Sequence, residues 1–208
     1  GRHLCIWQSH GKYFSESKKK WEWQRPYLFA TNEDVFTQTF LVPYLFPMLE
    51  RAGAIVFTPR ERDWQKDEKI VDNDFTGKTS NGYKETSGKY EWKDAVTGFA
   101  WVKDVYQSGE NPFEHGTCRS VEAQSKKHQL SSLRRQPTFA SEGDYAVYVS
   151  YKTLPTSVSD ATHTVHHEGV STSFRVNQQM GGSTWVYLGT FHFKAGSSAA
   201  NCVTLTNH

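Results

Sequence analysis

Two side chains in the first sixty residues are of the types and placement that can hold a metal ion. His10 sits in Gln8-Ser9-His10-Gly11, just beyond the apolar run Leu4-Cys5-Ile6-Trp7, where a small residue and a glycine leave its ring free. Glu33 stands in Thr31-Asn32-Glu33-Asp34, which opens a helical pattern running to Arg51-Ala52-Gly53. Imidazole nitrogen and carboxylate oxygen both bind zinc, at about 2.0–2.2 Å, and a hydrolytic zinc keeps three protein ligands and one position for water. That water becomes a nucleophile near neutral pH, with a carboxylate managing its proton. Each residue also has a plainer reading. A turn histidine needs no ligand, and a carboxylate in a helix's first turn is favoured by the positive end of the dipole, a role open to Asp34 as well. Glu22, within Trp21-Glu22-Trp23-Gln24-Arg25, is a substitute ligand, and Arg25 is available to a substrate carboxylate.

Other reactive residue types carry less. On a strand His163 and His167 share a face, but four residues at about 3.3 Å each put their Cα atoms roughly 13 Å apart, too far for one ion. His166 points the other way, so a surface or core role is expected for this cluster. Cys5, Cys118 and Cys202 have neither Cys-x-x-Cys spacing nor a histidine partner in a nucleophile motif. Cys5 and Cys202 fall in apolar strand patterns and are expected as buried free thiols. Ser9 and Ser183 lack a nucleophile-elbow context. No residue is assigned a catalytic role. Among the aromatics, Trp92 and Trp101 are candidates for stacking on sugar rings, whereas Trp185 reads as core.

The elements that must position these residues fall into two textures. Ala54-Ile55-Val56-Phe57 is a second apolar strand after the helical pattern, and it closes in Thr58-Pro59-Arg60-Glu61-Arg62-Asp63. The helix carries an apolar set (Phe36, Phe40, Leu41, Leu45, Met48, Leu49) that fits a core-facing stripe. Pro43 and Pro47 interrupt it, predicting a kink near Leu41-Val42 or a helix in two pieces. A crossover of this length makes the two strands parallel. From about Gln65 the pattern changes to short alternating segments between turn residues, which predicts a β-sandwich. Its strands include Asp144 to Tyr151, Thr162 to His167, Ser171 to Asn177, Trp185 to Phe193 and Cys202 to Thr206, with hairpin turns at Glu168-Gly169 and Met180-Gly181-Gly182-Ser183. The fold class is α+β, with a strand–helix–strand unit over residues 1–66 and an antiparallel sandwich over 67–208.

Bulk properties exclude some functions. The 208 residues carry a net charge of +2, too mild for a nucleic-acid footprint, which needs a concentrated basic face. Lys18-Lys19-Lys20 and Arg134-Arg135 are read as solvated loops. No apolar run approaches the roughly 20 residues of a transmembrane span, and no signal peptide is visible. Aromatic residues make up 14% of the chain, enough for a core and for sugar platforms. Oligomeric state is not legible.

With these residues in view, the segment from Leu4 to Asp63 resembles the opening of the zinc-dependent N-acetylmuramoyl-L-alanine amidases that cleave peptidoglycan. The matching motifs are Gln8-Ser9-His10-Gly11, Asn32-Glu33-Asp34-Val35 and Phe57-Thr58-Pro59-Arg60-Glu61-Arg62-Asp63. The resemblance implies that His10 and Glu33 are two of three protein ligands on zinc, in a partial amidase-like unit. That family takes a third ligand, another histidine, and a catalytic glutamate from later strands. After Asp63 this chain enters the sandwich, so inactivity of the chain by itself is expected. The second region resembles the golvesin C-terminal-like domain, found beside such amidases and in Bacteroidetes proteins labelled xanthan lyase. It does so through Ile70-Val71-Asp72-Asn73, Gly143 to Val149, Thr164-Val165-His166-His167, Val176 to Gln179 and Gly182 to Phe191. The two resemblances imply a secreted, periplasmic or cell-surface protein. Its partner would be cell-wall glycan or another polysaccharide, met either as part of a zinc hydrolase or as a non-catalytic carbohydrate-binding or adhesion module.

Overall fold

The computed structural model describes residues 2–59, 67–104, 106 and 110–208. The segment Arg60-Glu61-Arg62-Asp63, and with it part of the amidase-like third motif, lies outside the described residues. The chain divides into two compact units, Gly1–Gln65 and Lys66–His208.

In the first unit β1 (Arg2–Cys5) pairs in parallel with β4 (Ala54–Phe57), in the register Leu4↔Val56. Between them come a hairpin, β2 (Lys12–Ser15) and β3 (Lys20–Trp23), and an irregular helix. The hairpin takes up the Lys/Trp-rich stretch, and Lys18 and Lys19 lie in its turn. The helix begins with α1 (Glu33–Phe36), where the side chain of Asn32 accepts from the Val35 N–H and so satisfies an otherwise unpaired donor. It continues through α2 (Gln38–Phe40), a π turn (Leu41–Leu45) and α3 (Phe46–Arg51). It ends at Gly53 with φ 83°, a conformation that costs glycine little. The prolines explain the π turn. Pro43 and Pro47 have no N–H to donate, and the chain closes instead with the Phe46 N–H on the Leu41 carbonyl, five residues back.

That turn corrects the expected apolar stripe. A π turn holds an extra residue, which rotates everything after it by about 100° relative to an α-helix. Phe46 becomes the buried anchor at 0% exposure, whereas Phe36, Phe40 and Met48 are more than half exposed. The expectation for Cys5 is also corrected. It is exposed, and among the described residues β4 is the one strand paired with β1.

The second unit is mostly β. Its central feature is a five-stranded antiparallel sheet in the order β13-β12-β15-β10-β7, made of β7 (Tyr83–Thr86), β10 (Ser132–Arg135), β12 (Ala161–His167), β13 (Val170–Val176) and β15 (Cys202–Thr206). A second layer is the pair β11 (Gly143–Val149) and β14 (Val186–Phe193), with a bulge at Val147/Tyr148. Short pairs complete the unit: β5 (Ile70–Val71) with β6 (Thr79–Ser80), and β8 (Lys93–Gly98) with β9 (Gly116–Ser120). Val165 of the sheet packs with Phe139 and Phe193, and Tyr145, Val147, Phe174, Leu188, Phe191 and Val203 close around them. Apolar side chains from two β layers sharing one core are what a sandwich requires.

Two turns divide differently from expectation. Glu168 (φ 46°) and Gly169 (φ 78°) make the β12–β13 hairpin, a two-residue turn with both φ positive. Met180-Gly181-Gly182-Ser183 makes no hairpin, because β13 and β14 belong to different sheets and the segment crosses between them. A further correction concerns Arg134-Arg135. This pair ends β10, between β15 and the edge strand β7, where the neighbours of Arg135 are Val203 and Tyr83.

Candidate functional sites

In the first unit the loop after β1 is fixed by Gln8, 1% exposed. Its backbone carbonyl accepts from Thr37 Oγ1 at 2.8 Å, and its Oε1 accepts from Thr58 Oγ1 at 2.7 Å. One residue thus ties the loop to the helix through its backbone and to the end of β4 through its side chain. Ser9 then turns through φ 69°, a left-handed value that costs a non-glycine residue on the order of 1 kcal/mol. This brings His10 over the helix start. His10 Nε2 lies 3.7 Å from Glu33 Oε1, and Ser9 Oγ donates to the same oxygen at 3.4 Å.

Arg25 completes the group. Its Nη2 is 3.0 Å from His10 Nε2, and its Nε is 3.7 Å from Glu33 Oε2. A guanidinium has donors only, so the His10 ring accepts at Nε2 and carries its proton on Nδ1. The backbone at Arg25, two residues beyond β3, is held by Asp34, fully buried, whose Oδ2 accepts from the Arg25 N–H at 3.1 Å. The structure therefore brings together His10, Glu33 and Arg25.

Zinc bonds of about 2.0–2.2 Å at a tetrahedral angle place two donor atoms about 3.4 Å apart. The His10–Glu33 spacing fits that geometry, but the Arg25 cation competes for the same lone pair. Among the described residues no group of three or more His, Cys, Asp or Glu side chains is arranged to hold a metal. Glu22 is engaged elsewhere, with Lys18 at 3.0 Å and Lys20 at 3.3 Å.

The second unit contains a cleft of about 900 Å³ whose lining includes Asp72, Tyr83, Trp92, Arg135, Tyr151 and His163. The sheet register explains why polar groups reach it. Paired residues of adjacent strands point to one face, so the rows Glu85–Leu133–Leu205–His163 and Tyr83–Arg135–Val203–Val165 share the face that carries the Val165 core. Glu85 on this face is satisfied. Arg119 grips it with Nε at 2.7 Å and Nη2 at 2.8 Å, and the Tyr83 hydroxyl donates to it at 2.6 Å. Burial together with the neighbouring carboxylate pushes the Tyr83 phenol above its ordinary range.

Three other nitrogens of residues lining the cleft are enclosed without a hydrogen-bond partner among the described residues: Trp92 Nε1, Arg135 Nη1 and His163 Nδ1. His163 is 1% exposed, and burial, with Arg135 nearby, lowers its pKa to about 3. Gln178 Nε2 approaches its Nε2 at 3.5 Å. With the amide donating, the ring proton sits on the unpartnered Nδ1. Burial raises the Asp72 carboxyl to about 6, while one of its oxygens accepts from the Asp74 N–H at 2.8 Å.

The two tryptophans expected at sugars are placed differently. Trp92 lines the cleft at 8% exposure, too little for an open stacking face. Trp101 is outside the cleft lining. Its Nε1 donates to Asp104 at 3.2 Å, and Lys78 Nζ lies 5.1 Å from the ring centroid. Trp185 packs with Phe99 and Phe113, at centroid distances of 5.0 and 5.7 Å. Arg135 and His163 were not singled out from sequence as binding residues. The available signal was a charged or titratable residue in phase with the buried positions of its strand.

Residues 106–208 match the golvesin C-terminal domain family, and this part of the chain is golvesin-like. A xanthan lyase structure from Paenibacillus is similar at 22% identity and a TM-score of 0.43, over 61% of this chain and 10% of that one. This chain therefore spans about a tenth of that protein's length. No curated protein matches it. Among the described residues no helix is long and apolar enough to cross a membrane.

Proposed function

We propose that this protein is a non-catalytic glycan-binding module of a secreted, periplasmic or cell-surface protein, with polysaccharide held by its golvesin-like β unit. The observation that carries this reading is the cleft in that unit. Its volume falls in the range of about 300–1,000 Å³ typical of small-ligand sites, and its wall mixes aromatic rings with convergent polar groups. The match of residues 106–208 to an extracellular type of domain supports the setting. The test is retention of the folded protein on insoluble polysaccharides, peptidoglycan sacculi among them. Retention is expected, and Trp92→Phe, which keeps a ring and removes the N–H, should weaken it. A folded protein that passes unretained over every polysaccharide offered would overturn the reading.

A second reading is favoured by one distance, the 3.7 Å between His10 and Glu33. In it the first unit is an amidase-like half-site for zinc, as in the N-acetylmuramoyl-L-alanine amidases. The ion would supply an activated water, while His10 and Glu33 would hold it and Arg25 would have to move aside. Calorimetry with zinc should then show weak binding that is lost in His10→Ala and strengthened in Arg25→Ala, with no peptide released from peptidoglycan. Zinc affinity unchanged by His10→Ala would remove this reading.

A further inference from the structure

The five-stranded sheet has a second face, opposite the one that carries the Val165 core, and alternate residues of each strand point to it. Register sets two rows across all five strands: Ser173–Thr164–Thr204–Arg134–Lys84 and Arg175–Thr162–Thr206–Ser132–Thr86. These side chains are hydroxyls and cations throughout, with no acidic and no apolar residue among them. Lys84, Thr86, Ser173 and Arg175 are exposed, the others are half-buried, and none is buried, as on a face open to solvent. Arg134 stands directly opposite Lys84. Like charges facing each other across two strands repel and weaken the pairing, and neither cation forms an ion pair with a described residue. Glu85, next to Lys84 in sequence, points to the other face, where Arg119 grips it. The carboxylates beyond the strand ends do not answer the pair. Asp160 immediately precedes β12, at the row end that holds Arg175, while Glu122 meets Asn207 and acts on Lys89, and Glu168 acts on His192. The charge of Lys84 and Arg134 is the part that nothing on this face offsets. Each Thr or Ser hydroxyl both donates and accepts, the complement of a sugar's own hydroxyls. Neighbouring strands lie about 4.8 Å apart, so the two cations can close on one anionic group from both sides, and five strands give a flat face roughly 19 Å wide. That suits an extended chain better than a single ring. A nucleic-acid backbone asks for a more basic face than these three cations make.

We propose that this outer sheet face is a second glycan-binding surface that takes an extended anionic polysaccharide, with an acidic group between Lys84 and Arg134 and sugar hydroxyls on the Thr and Ser rows. The cleft reaches only the Arg175–Thr162–Thr206 end of the face, and Lys84, Arg134, Thr164 and Thr204 lie outside its lining. The proposal rests on the glycan-binding reading of the β unit for the class of polymer, and adds a surface and a charge preference.

Calorimetry on the whole 208-residue protein tests it with polygalacturonate, its methyl ester and single-stranded DNA of similar length. The acid should bind at least about fivefold more tightly than the ester, since charge-assisted bonds are lost on esterification. The double variant Lys84→Gln, Arg134→Gln should abolish that difference. The double variant Lys126→Gln, Lys127→Gln takes the same charge from an exposed loop and should keep it. Equal losses in the two variants would show diffuse attraction and overturn the proposal. So would equal binding of acid and ester by the unaltered protein, or DNA bound as tightly as polygalacturonate. The Lys84, Arg134 variant should also be at least as stable to urea as its parent, because two opposed like charges are gone. A less stable variant would make the pair part of the fold's own support, and the proposal would fall. If acid and ester bind alike and Trp92→Phe weakens both, the glycan-binding reading of the cleft stands and this surface falls. If neither polymer binds, this surface falls, and retention on neutral polysaccharide decides the cleft reading separately.

Discussion

Replacing His163 by glutamine should change how the stability of the β unit depends on pH. In the folded protein the ring is 1% exposed and its pKa is lowered to about 3, first by burial and then by Arg135. In the unfolded chain it returns to about 6.5. A depressed pKa means that the unfolded state takes up the proton first. The contribution is therefore fully present above pH 6.5 and is lost progressively as pH falls from 6.5 toward 3. Between pH 7 and pH 5 the loss integrates to about 2 kcal/mol, at about 1.4 kcal/mol per pH unit. Asp72 works in the opposite sense. Its folded pKa is raised to about 6, so it gains stability as pH falls through 6 toward its ordinary value. Because it is partly exposed, the gain by pH 5 is at most about 1 kcal/mol. The quantity to compare is thus the pH 7-to-5 change in the unaltered protein minus that in His163→Gln, in which the Asp72 contribution cancels. Urea unfolding read by hydrogen-exchange labelling of peptides from β12 and β15 reports on this unit alone. The variant should lose about 2 kcal/mol less than the unaltered protein. Equal pH dependence of the two would show that His163 is not held neutral by burial.

Val165→Ala should cost about 2–3 kcal/mol, measured by urea unfolding, because Val165 is fully buried between Phe139 and Phe193 and two methyl groups leave a cavity. Gly82→Ala should be as severe or worse. A Cβ there would meet the Gln136 carbonyl oxygen at 1.8 Å, against backbone that cannot swing aside, and the Gln136 N–H bond to the Gly82 carbonyl beside β7 would be lost. Loss of exchange protection at Gln136 and in β10 is the expected signature, and a Gly82→Ala protein as stable as its parent would refute it.

Short-range chemistry in this chain is legible from sequence, and long-range pairing is not. The helix start at Asn32 and the Glu168-Gly169 hairpin each follow from residues a few positions apart, and the parallel sense of β1 and β4 follows from the length of the crossover between them. The helix shows where that reasoning stops. Pro43 and Pro47 announce a break, but not that the break is a π turn, whose extra residue resets the phase after it, where Phe46 is buried and Met48 is exposed. Arg135 is the stronger case. Ser132-Leu133-Arg134-Arg135 has a single apolar side chain, and by composition it reads as a solvated stretch. It becomes an interior strand because Leu133 meets Leu205 and Glu85 across the sheet, partners roughly 70 and 50 positions away in sequence, which no local pattern encodes. Once Leu133 is fixed inward, the two-residue period of a strand carries Arg135 inward as well. A cation forced onto a core-facing row breaks the rule that every other choice in the strand obeys. Such local violations collect where a fold is shaped for something other than its own stability. Glu85 faces the same way and is neutralised by Arg119 and Tyr83, so an inward charge in this sheet can be supplied with a partner. Arg135 forms no ion pair with any described residue and is met at longer range by Asp72 and Glu85, so part of the cost of an inward cation stays unrelieved in this sheet.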